Sequence, residues 1–325
     1  PPRHGRRTDH RMIRYTAFRI LQTLPILLGV SMVAFGLLFL QPGNPVEALL
    51  PPEAPAQVVA QMKERLGFDA PVPVQYLRWL TRTLGGDLGL SLYDGTPVLA
   101  TLRSALFNTL MLAVPAALLA FGTGITLGLI AGYHGGRWPD RGASMLAILG
   151  VSLPQYWVAI VLVVIFSVQL GWLPAQGMGN VHGLPQTWAQ ASNMVLPVVS
   201  LALVPAGVVA RVVRAAVLDI LSLDFIQGLE AKGLGRPGIL LHVMRNAGAA
   251  ALAVMGMQFG YLIGGSILIE TVFNWPGTGQ LMNLSIFRRD IPMLQGTVVT
   301  LATLFVLTNL AVDLLQAAID PRMRR

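Results

Sequence analysis

Few side chains in this chain are placed to do chemistry. The five histidines, His4, His10, His134, His182 and His242, are scattered over tails and connectors, and none pairs at a metal-ligand spacing. They read as surface positions. No Gly-x-x-x-x-Gly-Lys-Ser/Thr loop is present, so the chain does not cradle a nucleotide by that device. A membrane hydrolase needs a nucleophile and a base buried together, and no serine in the apolar stretches has such a partner. Cysteine is absent, which removes disulfides and thiolate metal sites. A proton or ion relay would need ionisable groups inside the apolar runs. Only Asp313 is a clear candidate, and near the inner end of the last run a cap or interface partner is expected. Glu270 falls at the outer end of the fifth run, where hydration is cheap. Energy for transport must therefore come from another subunit, or the pore is passive. One stretch stands out as its entry point: Asp224-Phe225-Ile226-Gln227-Gly228-Leu229-Glu230-Ala231-Lys232-Gly233-Leu234, polar and Gly-punctuated between two long apolar runs.

The elements that must hold this stretch are membrane spans. Of the 325 residues 54% are hydrophobic and 12% charged, against about 25% charged in an average soluble domain. A membrane-crossing helix needs about 20 apolar residues. Six windows qualify, at about Phe18–Leu40, Leu106–Ala131, Ala143–Leu170, Leu196–Val213, Ala247–Ile269 and Gly296–Ile319. Pro154, Pro197 and Pro205 predict kinks or early ends in the third and fourth. The net charge of +8 clusters at the ends of apolar runs without interleaved aromatics, so it reads as a topology signal and not as a nucleic-acid groove. Sixteen of the 23 Lys and Arg residues fall on segments that are cytoplasmic if the N-terminus is inside. The expected fold is all-α and polytopic with six transmembrane helices, N-in and C-in. The first run is too long for a signal peptide and has no small-residue cleavage site after it. Residues before Met12 read as an extension or over-called start, a solvated basic tail.

The expected organisation is a cytoplasmic tail (1–17), a first span (18–40), an extracytoplasmic cap (41–104), a five-helix core (105–319) with a cytoplasmic loop at about 214–246, and a C-terminal tail (320–325). In the cap, Val58, Val59, Met62 and Leu66 recur at helical spacing over Gln57–Phe68, and Tyr76, Leu80 and Leu84 share a face over Gln75–Leu84. Gly124, Gly128 and Gly132, and again Gly256, Gly260 and Gly264, recur every four residues. Such rows let helix backbones approach closely; they serve intrachain packing, a subunit seam or a smooth translocation wall.

Within the polar loop, Ser222-Leu223-Asp224 predicts a helix start with Ser or Asp as cap. Phe225, Leu229 and Leu234 predict an apolar face, Glu230 and Lys232 a polar rim, and Gly233 the turn that ends the helix. One Lys and two acids attract lipid weakly, so a protein cleft is the better partner for this helix than the bilayer surface.

At this loop the sequence resembles the coupling loop of ABC-importer permeases. It is closest to the dipeptide, oligopeptide and nickel branch, whose version reads approximately D-Y-x-R-T-A-R-A-K-G-L. Arg245-Asn246-Ala247 resembles the branch's R-N-A. Gln227-Gly228-Leu229 occupies the E-A-A place of the general E-A-A-x-x-x-G signature, and Gly233 its Gly place. Gly228 and Leu229 depart from the small-residue pattern, as does Ala250 from the Pro frequent there. Other resemblances follow in order: Gln41-Pro42-Gly43-Asn44-Pro45; Leu66-Gly67-Phe68-Asp69 with Pro73-Val74-Gln75-Tyr76; Gly86-Asp87-Leu88-Gly89-Leu90-Ser91; Trp172-Leu173-Pro174; Leu196-Pro197; Glu270-Thr271-Val272-Phe273-Asn274-Trp275-Pro276-Gly277-Thr278-Gly279; Asn309-Leu310 through Asp313-Leu314; and Asp320-Pro321-Arg322.

The resemblance implies a type I importer permease of the bacterial inner membrane. It implies a second homologous permease, two ABC ATPase subunits and an extracytoplasmic substrate-binding protein as partners. It places ATP and Mg on the ATPases, with no cofactor and no catalytic group in this chain. Residues 223–235 would be the ATPase contact. The Phe273, Trp275, Pro276 and Gly277 turn would lie near the outer gate, or act as an interfacial aromatic anchor. Short peptides are the expected cargo; nickel, a metal chelate or a glutathione-like molecule is the alternative. An ion-coupled carrier and a membrane scaffold are the rivals from other classes.

Overall fold

A computed structural model describes residues 4–40, 55, 57, 69–178, 184–185 and 187–319, with side chains from Arg14 onward. Among the described residues ten helices follow one another: α1 (His4–Leu40), α2 (Val72–Leu84), α3 (Val98–Tyr133), α4 (Trp138–Ser152), α5 (Gln155–Leu162, running on as a π-helix over Val163–Gln169), α6 (Trp188–Leu221), α7 (Asp224–Ala231), α8 (Arg236–Val272), α9 (Thr278–Phe287) and α10 (Ile291–Ile319). Among the described residues there is no strand, only an isolated bridge between Leu90 and Pro97. The expected helix at Gln57–Phe68, the Gln41–Pro45 motif, the start of the Leu66–Asp69 motif and the tail from Asp320 lie outside the described residues.

Five helices, α1, α3, α6, α8 and α10, are long and apolar enough to cross a membrane. The sixth expected span is the pair α4–α5, bent by 100°. Pro154 causes the break: it forces Leu153 into extended backbone at φ −85° and ψ 132° and sits itself at the cap of α5. In α6 no early end follows: the helix runs for 34 residues through Pro197 and Pro205. Both prolines are buried, and neighbouring helices hold the helix together where its hydrogen bonds are missing.

The glycine rows are packing devices. α3 and α6 run parallel, and Gly124, Gly128 and Gly132 face Val209, Val213 and Val217 in turn. A Cβ on Gly128 or Gly132 would lie 2.6 Å from the opposing valine Cβ, closer than any real contact allows. In α8, Gly256 and Gly260 meet Val312 and Phe305 of α10, whereas Gly264 faces open space. Gly256 and Gly260 thus serve intrachain packing, and Gly264 is left exposed.

α1 lies against α10 through Arg19 and Asp313, 3.5 Å apart. Asp313 is thus an interface partner, as its position near the inner end suggests. On the outer side α2 turns Tyr76 and Trp79 onto Phe35 of α1, at ring separations of 5.6 and 5.7 Å. Ser31 and the Tyr76 hydroxyl bond at 2.7 Å. Leu84, expected on the same face, is 79% exposed instead, because the helix ends there and Gly85–Gly86 leads the chain away.

At about 1.5 Å per residue, the 36, 34 and 37 residues of α3, α6 and α8 exceed the roughly 30 Å of a hydrocarbon core. Their ends project beyond the bilayer, and the inner projections carry α7.

Candidate functional site

α7 is eight residues long and too short to be stable alone; its neighbours hold it. Ile226 is 3% exposed and joins a cluster with Val209, Val213, Val217, Ile239, Val243 and Val254, against which Leu229 also packs. The helix is thereby fastened to α6 and α8. The expected apolar face divides. Leu229 points inward, while Phe225 (42% exposed) and Leu234 point outward together with Leu223. Sequence reasoning missed Ile226, the buried anchor, although its i, i+3 spacing to Leu229 signals the same face. Gln227, Glu230, Ala231 and Lys232 are exposed, as a rim requires.

The expected cap is absent. No side chain caps α7, because the Ser222 hydroxyl donates back to the Asp219 carbonyl at 2.7 Å, closing the end of α6 instead. Asp224 lies in the first turn, where its charge complements the helix dipole. The C-terminus follows expectation. Gly233 takes φ +81°; its N–H donates to the Glu230 carbonyl at 2.9 Å, and that of Leu234 to Leu229 at 3.1 Å. These are the two bonds of a Schellman motif, which needs a left-handed residue.

Beside this helix lies an ion pair that charge counting treated only as topology. Arg214 of α6 donates from Nε and Nη2 to Asp140 of α4 at 2.6 and 2.8 Å. Asp140 also accepts from the Gly136 N–H and the Ser144 hydroxyl. The inner parts of α4 and α6 are locked together about two turns before α6 ends at Leu221.

The outer turn is organised around a carboxylate. Glu270 is fully buried, contrary to the hydrated position expected for it. The Thr109 hydroxyl donates to it at 2.7 Å, and the Gly279 and Gln280 N–H groups at 2.7 and 3.1 Å. It thereby caps α9 from a distance and ties it to α3 and α8. Trp275 donates from Nε1 to the Asn108 carbonyl at 2.9 Å, and Asn108 donates back to the Pro276 carbonyl at 2.9 Å. Phe273 and Trp275 are fully buried in the outer core cluster with Leu112, Leu196 and Leu201. They are core residues, and the interfacial-anchor reading fails because their rings are enclosed by protein. Gly277 is buried against Glu270, where a Cβ would collide with the carboxylate, and Pro276 is exposed.

Residues 124–325 match the family described as binding-protein-dependent transport system inner membrane component, and residues 12–113 match that family's N-terminal component. The chain belongs to this family. The glutathione transport system permease protein GsiC of Salmonella paratyphi A is 39% identical over 96% of this chain and 99% of its own length. The dipeptide transport system permease protein DppB of Alkalihalophilus pseudofirmus is 36% identical over 96% of this chain and 100% of its own. Among solved structures, the inward-facing MetNI methionine ABC transporter matches 68% of this chain and 97% of its own, with a TM-score of 0.56 at 18% identity; that likeness speaks for the fold. The permease is thus a multi-pass inner-membrane component of a binding-protein-dependent transport system.

Proposed function

We propose that this permease is the membrane subunit of an ATP-driven importer of short peptides. An extracytoplasmic binding protein delivers the cargo, a second homologous permease completes the path, and two ABC ATPase subunits dock on the coupling loops. ATP and Mg reside on those ATPases, and this chain contributes no catalytic group. Relatives named for glutathione and for dipeptide transport support the cargo, since glutathione is itself a modified tripeptide.

One observation carries the coupling role. α7 is anchored through Ile226 and leaves Phe225, Leu223 and Leu234 uncovered above the inner ends of α6 and α8. An exposed aromatic on a firmly held short helix fits a cleft in a partner. ATP closes the ATPase dimer, each cleft carries its α7, and the spans exchange inward-open for outward-open. Binding shifts that equilibrium only by contacts that differ between the two states, and residues 223–235 supply them. Phe273 to Gly277 is the closed outer gate in this scheme, and Gly264 belongs to the wall of the path.

Deleting residues 223–235 is expected to leave an inserted protein whose partner ATPases no longer respond to cargo-loaded binding protein. Undiminished stimulation after the deletion would sink the coupling role. Uptake that collapses with an uncoupler yet persists without ATP would favour an ion-coupled carrier.

A further inference from the structure

We infer that the break between α4 and α5 lies on the translocation path and reads the main chain of the peptide, with Gln155 as a cargo-binding residue. The inference rests on the importer reading above and gives it a site inside the membrane.

The break is at membrane depth. α4 begins at the inner surface and rises roughly 22 Å over its 15 residues before Leu153 and Pro154 turn the chain by 100°. The first N–H groups of α5, on Gln155, Tyr156 and Trp157, have no partner within the helix, and no side chain caps them. Irregular backbone does not face lipid at this depth; it is buried in protein or lines water. Here Ser152, Pro154, Tyr156 and Trp157 are all exposed on this chain, so no protein of this chain covers the break, and we place it on the side of the water-filled path.

A second observation points to a ligand. Gln155 is only 8% exposed, and its amide reaches α8, where Nε2 donates to the Gly265 carbonyl at 3.1 Å. Its Oε1 is buried with no hydrogen-bond partner. A buried acceptor left unmade is costly, and a donor arriving as the half-helices part would satisfy it. Beside it Gly264 leaves open space. Free N–H donors, an orphan amide acceptor and room at a glycine match the alternating C=O and N–H groups of a peptide, or its terminal carboxylate at the α5 N-terminus. They make no demand on side chains. Discontinuous helices use their ends in this way elsewhere in membrane transport.

The chain has no cysteine, so single-cysteine variants report one place each. In proteoliposomes holding the complete transporter, Ser152→Cys and Tyr156→Cys are expected to react with a water-soluble maleimide. Tri-alanine supplied with binding protein and ATP is expected to slow that reaction several-fold. Leu146→Cys, on the exposed apolar face of α4, is expected to stay unlabelled. Gln155→Leu is expected to raise the KM for tri-alanine about 3- to 10-fold, the effect of one lost hydrogen bond, while the lost bond to Gly265 lowers thermal stability only modestly. If the unsubstituted transporter imports tri-alanine while both thiols are unreactive or unprotected, or while Gln155→Leu leaves KM unchanged, the inference is overturned alone. If the unsubstituted transporter neither imports tri-alanine nor hydrolyses ATP in response to it, the peptide reading falls and takes the inference with it.

Discussion

Arg214 grips Asp140 with two hydrogen bonds across the gap between α6 and α4. The aspartate is buried, and the arginine is about one third exposed. Removing one partner of a buried pair typically costs about 3–5 kcal/mol, and solvent at the arginine reduces that. Asp140→Asn and Arg214→Ala should each destabilise the permease by about 1–3 kcal/mol, and the double variant by less than their sum. Thermal unfolding in detergent across the four proteins gives the coupling directly; full additivity would show the pair to be idle.

The α3–α6 seam makes a sharper claim. Gly128→Val places methyls where Val213 already sits, and overpacking costs about 1–3 kcal/mol. Val213→Ala should recover part of that loss in the double variant. Gly264→Ala meets nothing and should leave unfolding within about 0.5 kcal/mol of the parent.

Glu270 holds two backbone donors and a hydroxyl in a dry place. Glu270→Ala leaves the Gly279 and Gln280 N–H groups unpaired, each a penalty of about 1–3 kcal/mol. The expected result is loss of folded permease from the membrane. Thr109→Val removes one bond and keeps the shape, so it should be the milder variant. Quantifying folded protein by gel filtration after extraction ranks the two, and the reverse order would contradict the geometry.

Adjacent residues on α7 should separate coupling from folding. Ile226→Asp puts a charge into the valine cluster and should abolish folded protein. Phe225→Asp touches only the exposed face; it should leave unfolding unchanged and suppress cargo-stimulated ATP hydrolysis at least about tenfold, as loss of a hot-spot aromatic does. Normal stimulation in the second variant would remove Phe225 from the contact.

Much of this architecture was legible in the residues. Apolar run length located every span, Pro154 marked the break, and Gly233 marked the end of α7, because each rests on local sterics or on the bilayer thickness. The placement of Asp313 also followed from its depth. What escaped were features set by residues distant in the chain. Burial of Glu270 depends on Thr109, some 160 positions away, and the pairing of Arg214 with Asp140 needs two helices side by side. Phe273 and Trp275 suited an outer-gate turn or an interfacial aromatic anchor equally; only the fold shows them enclosed. On α7 the expected face mixed the outward Phe225 and Leu234 with the inward Leu229; Ile226 shares a face with Leu229 by spacing, but which of the two faces is buried is set by α6 and α8.

The parallel glycine–valine seam has a mechanical consequence. With valines lodged in three successive notches, α3 and α6 have no room to slide, so they move as one rod. The lower end of that rod carries α7, and the upper end carries Asn108 and Thr109, which hold the Trp275 turn and Glu270. For the importer proposed above, this rod is the route by which a displacement of the inner helix would reach the outer turn, so that the two ends of the membrane keep the same time.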